Sequence, residues 1–136
     1  MDHTVVAGRY TLLEEVGRGA SGAVWLAQDE VLARQIALKR LAGSPFDGDA
    51  GVRAEREARL SAQVNHPNVV SVFDLIRDDG GHDSWLVMEY VAGRSLAERI
   101  RYEGALDPDT AAEVLRPVAD ALAAAHALEI VHRDIK

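Results

Sequence analysis

Gly17-Arg18-Gly19-Ala20-Ser21-Gly22-Ala23-Val24 lies between two apolar segments, and fifteen residues after Val24 comes a lysine, Lys39, in an apolar setting. The order reads as a strand, a glycine-bearing turn, a second strand, and a third strand that presents Lys39 back toward the turn. Glycines at 17, 19 and 22 let backbone N–H groups approach phosphate oxygens. Val16 and Val24, apolar and flanking, can close over a flat ring. Glycines also make tight turns that bind nothing, so the run decides little until its surroundings are read.

Residues 10–16 alternate imperfectly as a first strand, residues 23–27 form its partner, and the three glycines between them suggest a hairpin longer than the two-residue kind. A turn over residues 29–34 leads to a third strand, 35–41. Residues 42–51, rich in Gly, Ser, Pro and Asp, read as a loop. The period then changes: Ala54, Ala58, Leu60, Ser61 and Ala62, interleaved with charge, predict a helix over 52–64 that Pro67 limits. A turn at 65–68 precedes strands at 69–76 and 84–90, joined by a polar tip. Five antiparallel strands and one helix suffice for a small lobe with its own core.

Beyond residues 91–93 the pattern is helical. Ser95 caps a short helix ending near residue 100 or 101, and Asp107-Pro108 starts a longer one that runs to about 128. Ala111, Val114, Leu115, Val118, Ala119, Leu122 and Ala125 give that helix a broad apolar face with little in the chain to receive it. Pro117 should kink it or break its ladder.

Among 136 residues there is no cysteine, which excludes disulfides and thiolate chemistry and suits a reducing, cytoplasmic setting. A net charge of −7 without a basic stripe argues against nucleic acid as a partner. No apolar run is long enough to predict a membrane span, and the first residues lack a signal-peptide pattern.

His132-Arg133-Asp134-Ile135-Lys136 completes a set with the glycine run and Ile36-Ala37-Leu38-Lys39. On these three motifs, in this order, the sequence resembles the N-terminal part of a protein kinase domain, most similar to bacterial serine/threonine kinases of eukaryotic type. The resemblance covers residues 10–136 and implies an α+β fold. Residues 10–91 would form a nucleotide-binding N-terminal lobe of five antiparallel strands and one helix. Residues 94–136 would begin an incomplete helical C-terminal lobe ending inside the catalytic loop. It further implies ATP, with Val16, Gly17, Gly19, Gly22, Val24, Ala37 and Met88 around the nucleotide and the backbone of Glu89 and Val91 on the base edge. Lys39 would reach the α- and β-phosphates. Three acids could hold it, Asp49, Glu55 and Glu57, and the family's spacing from the Asn65-His66-Pro67-Asn68 pattern selects Glu57. Considered without the family, Glu57 pairs as readily with Arg53 on the helix surface. Asp134 would accept the proton of a substrate hydroxyl, Lys136 would touch the transferred phosphate, and Arg133 would meet a phosphorylated activation loop. His132 reads as structural.

The family's asparagine five residues beyond the catalytic aspartate and its Asp-Phe-Gly element, which hold Mg²⁺, are absent from residues 1–136. The sequence therefore reads as an incomplete kinase, not efficient alone, acting on a protein substrate when completed. A homodimer through N-terminal lobes, or a partner covering the later helices, is a further expectation. A short pseudokinase-like module that binds nucleotide or a partner is the alternative. A dinucleotide-binding oxidoreductase fails because a strand, not a helix, follows the glycines.

Overall fold

The computed structural model describes residues 4–19, 22–41, 49–77, 83–132 and 135. They fall into two compact units, one drawn from 1–63 and 70–90, the other from 64–69 and 91–136.

The first unit is built on one antiparallel sheet: β1 (Val5–Val6), β2 (Tyr10–Gly19), β3 (Gly22–Asp29), β4 (Arg34–Leu41), β5 (Val72–Arg77) and β6 (Ser84–Glu89), in the order β1-β2-β3-β4-β6-β5. α1 (Asp49–Ser61) lies between β4 and β5 in the chain. One face of the sheet closes a core of Val6, Tyr10, Leu12, Ala27, Ile36, Leu38, Trp85 and Val87. The other gathers Leu41 and Leu86 with Ala58 of α1, and Val72, Leu75 and Met88 pack alongside. α1 starts three residues before the expected position, because Asp49 in its first turn favours the positive helix end and Gly51 is accepted inside the helix.

Two differences from the sequence reading concern the sheet. Val5–Val6 adds a short sixth strand, turned onto β2 through Ala7 and Gly8, both at positive φ, with the Arg9 N–H donating to the Val6 carbonyl at 3.1 Å. The β2–β3 hairpin is also shorter than expected. Its ladder continues to the pair Gly19↔Gly22, so only two residues separate the strands.

Asp29, 1% exposed, anchors the start of the sheet. Arg9 donates to it through Nε at 2.8 Å and Nη2 at 2.7 Å, and the N–H groups of Val31 and Leu32 donate at 3.0 and 3.1 Å. The Arg9 hydrogen bonds, helped by those N–H groups and opposed by burial, pull its pKa from an ordinary 3.8 down to about 2.

The second unit holds α2 (Leu96–Glu103) and α3 (Pro108–Ala127). Ser95 caps α2 in a reciprocal box with Glu98, and Asp107 caps α3 by accepting from the Thr110 N–H at 3.0 Å, as read from sequence. α3 continues through Pro117 as one helix. It leaves Leu115 and Val118 exposed, and no residue of α2 is buried. Past α3 the Glu129 N–H donates to the His126 carbonyl and the Ile130 N–H to that of Ala125, a Schellman turn with Glu129 at φ +60°. An L side chain in that conformation costs about 1 kcal/mol. Glu129→Gly should therefore raise stability by roughly that amount in a denaturant titration; an unchanged or lower midpoint would show that the turn carries no such strain.

Candidate functional site

Gly17 of β2 lies opposite Val24 of β3, Val24 opposite Lys39 of β4, and Lys39 opposite Leu86 of β6. The next row is Leu26, Ala37 and Met88. Opposed residues share a face, and so do residues two apart on a strand. The register therefore gathers Gly17, Val24, Lys39, Ala37 and Met88 on one side, the side that also bears Leu41 and Leu86. Ala37 is buried, while Val24, Lys39 and Met88 are half-buried.

Strict alternation would turn Val16 away from Gly17. The register instead steps from Glu15↔Trp25 to Gly17↔Val24, so Val16 and Gly17 together oppose Val24 in a β-bulge. Val16 stays 45% exposed there.

The glycines are not explained by the chain's own packing. Neither Gly17 nor Gly19 is at positive φ, a Cβ on Gly17 would meet only the Val24 Cβ at 4.0 Å, and one on Gly19 would meet nothing. Gly22 is different, since its φ of +123° demands glycine. The space beside residues 17 and 19 is thus open, where an anion could approach the chain.

Charge is divided between the two faces. Arg18, in the middle of the run, pairs with Ala23 and so faces away from Lys39. It donates to Glu15 through Nε at 2.7 Å and Nη2 at 2.6 Å, which lowers the Glu15 pKa and raises its own. Lys39 has no ion pair among the described residues.

Of the three acids, Glu55 is engaged: Arg77 of β5 lies 2.9 Å from it and Arg59 3.8 Å. Glu57 is exposed and forms no ion pair with Lys39 among the described residues. Two residues along a helix is a turn of about 200°. With Glu55 drawn to β5, Glu57 points elsewhere. Asp49 is exposed and receives Arg53 Nε on its backbone carbonyl at 3.1 Å.

Glu89 closes β6. Its N–H donates to the Ser71 carbonyl at 2.9 Å, and its carboxylate accepts from the Ser71 N–H at 3.1 Å. The side-chain bond was not foreseen, because no spacing rule connects residues eighteen apart in the chain. In the second unit Val91, 61% exposed, opens the segment and His132 is exposed. Arg133, Asp134 and Lys136 lie outside the described residues.

The comparison with known families bears on this arrangement. The model described as "Protein kinase domain" matches residues 10–136. The chain belongs to the protein kinase domain family. It is 39% identical over 132 residues to the serine/threonine-protein kinase PrkC of Bacillus subtilis, covering 96% of this chain and 20% of the relative. It is also 41% identical to two Streptomyces coelicolor serine/threonine-protein kinases. PksC is matched over 97% of this chain and 25% of its own length, and PkaB over 96% and 31%. The chain thus spans a fifth to a third of these relatives.

The first unit is the N-terminal-lobe type of sheet and helix that this family implies, followed by helices consistent with an incomplete second lobe. The face bearing Lys39 fits an ATP molecule in kind: open space at glycines for phosphate, a lysine for negative charge, small and apolar side chains for a base. Among the described residues no three acidic or histidine side chains gather as metal ligands. No helix among them is long and apolar enough to cross a membrane.

Proposed function

We propose that this chain is the nucleotide-binding part of an ATP-dependent serine/threonine protein kinase, with residues 10–91 as its N-terminal lobe and 94–136 leading into the catalytic loop. The observation that carries the reading is the row Gly17–Val24–Lys39 beside Ala37 and Met88, on one face of the sheet. Gly17, Gly19 and Gly22 cradle phosphates through backbone N–H groups, and Lys39 adds a positive charge whose attraction for the phosphates grows as the γ-phosphoryl leaves. Val16, Val24, Ala37 and Met88 enclose the base, whose edge meets the backbone of Glu89 and Val91. Glu57 becomes the partner of Lys39 when α1 turns it inward, and Arg53 competes for it on the helix surface. Asp134 takes the proton of a protein Ser or Thr hydroxyl as the oxygen bonds to the γ-phosphorus and the bond to ADP breaks, with Lys136 on the transferred group. In the family a catalytic-loop asparagine and the Asp-Phe-Gly aspartate, neither of them among residues 1–136, would hold Mg²⁺, which would supply neutralisation of phosphate charge. The serine/threonine relatives and the lysine at 136 favour this reading over a binding-only module.

Calorimetric titration with ATP tests it. Gly19→Val puts a side chain into space the protein leaves open, so thermal stability should hold while affinity falls at least about ten-fold, the loss expected when one or two N–H contacts to phosphate are blocked. Equal affinity in both proteins would contradict a phosphate cradle at this hairpin.

A further inference from the structure

The link between Ser71 and Glu89 departs from what an antiparallel ladder requires. In a hydrogen-bonded pair the two residues exchange both N–H···O=C bonds. Ser71 sits one residue before Val72 and Glu89 one residue after Met88, and Val72 and Met88 are opposed, so Ser71 and Glu89 are the next pair in line. Half of the exchange is made, with the Glu89 N–H donating to the Ser71 carbonyl at 2.9 Å. The other half is not, because the Ser71 N–H donates at 3.1 Å to Oε2 of the Glu89 side chain in place of the Glu89 carbonyl.

We propose that the Glu89 carboxylate is a positioning group that takes the Ser71 N–H and so releases the Glu89 backbone carbonyl to accept a hydrogen bond from the exocyclic amine of the bound base. This deepens the nucleotide-binding reading and rests on it. The ordinary ladder would give the Ser71 N–H an acceptor in the Glu89 carbonyl. If the side chain supplies one, the carbonyl is free at the strand end; if it does not, the carbonyl turns to close the ladder. The carboxylate therefore acts through its own main chain, and its effect falls on ligands that bear an amino donor at that edge. A site that offers an acceptor discriminates against a ligand without the donor.

The test compares ATP with purine riboside triphosphate, which lacks the exocyclic amine, by titration calorimetry on the wild-type protein, Glu89→Ala and Glu89→Gln. The wild type should prefer ATP by about five-fold, one net hydrogen bond. Glu89→Ala should lose most of that preference, its affinity for ATP falling toward its affinity for the amine-free nucleotide. Glu89→Gln, whose amide oxygen still accepts from Ser71, should keep it. A merely structural role would weaken both nucleotides together in Glu89→Ala, and that result would overturn the proposal, as would full preference retained in that variant. A wild type that binds the two nucleotides alike would overturn the placement of the base at Glu89 itself, and the proposal with it.

Discussion

Lys39→Met is expected to reduce phosphoryl transfer by at least about a hundred-fold while leaving the fold intact. Methionine matches the length and apolar stem of lysine and removes only the ammonium. Position 39 is half-buried between Val24 and Leu86, both apolar, so the sheet should accept the change. No ion pair is broken among the described residues, since Lys39 makes none there. What is lost is a positive charge on the face where the glycine hairpin leaves open space. A charge acting more strongly on the transition state than on bound ATP shows mainly in kcat, with a smaller change in KM. Steady-state kinetics on a form carrying the Asp-Phe-Gly element would separate the two, and undiminished turnover would remove Lys39 from the site.

The second large effect concerns stability. Arg9→Met should destabilise the first unit by about 3 kcal/mol, because it strands a buried carboxylate that keeps only two backbone N–H donors. A loss of that size lowers the melting temperature by on the order of 10 °C. The same site sets an acid limit. Asp29 titrates near 2 in the folded protein and at an ordinary 3.8 once unfolded. Its contribution, about 2 kcal/mol, is complete above pH 4 and drains away as pH falls toward 2. Arg9→Met should therefore be less stable than the wild type at pH 7, and the gap should narrow on acidification. A gap constant from pH 7 to pH 3 would mean that Arg9 acts by packing alone.

Much of this architecture is legible in the sequence because its signals are local. Asp107-Pro108 and Ser95 with Glu98 mark helix starts through side chains that satisfy nearby N–H groups, and both act as read. The three middle strands follow from apolar runs bounded by turns. The imperfect alternation of residues 10–16 has a physical cause visible only in pairing, since Leu13 and Val16 are each the extra residue at a register shift of β2 against β3. Val69 and Val70 look like the start of β5. The Val69 N–H is instead drawn back to the His66 carbonyl at 3.0 Å, and the strand begins at Val72. Two residues, Val5–Val6, are too few to show a period, so β1 could not be seen.

The candidate site divides in the same way. Glycines 17, 19 and 22 and Lys39 announce themselves by spacing, and the register brings Gly17, Val24 and Lys39 into one row. Which acid meets Lys39 depends on how α1 is turned, and there Glu55 is engaged by Arg77, twenty-two residues away in the chain. Arg18, inside the glycine run, is put by pairing on the face opposite Lys39, with Glu15. Glu55 depends on a partner distant in sequence, and the face of Arg18 on its place opposite Ala23 in the hairpin.

The account's central claim is that ATP lies on the face bearing Gly17, Val24, Ala37, Lys39 and Met88. Backbone amide NMR during an ATP titration tests it most directly. The account predicts saturable shifts at Gly17, Gly19, Gly22, Val24, Lys39 and Glu89, with Tyr10, Leu38 and Val87 on the closed core little changed. Shifts centred on that core face, or none at millimolar ATP, would contradict it.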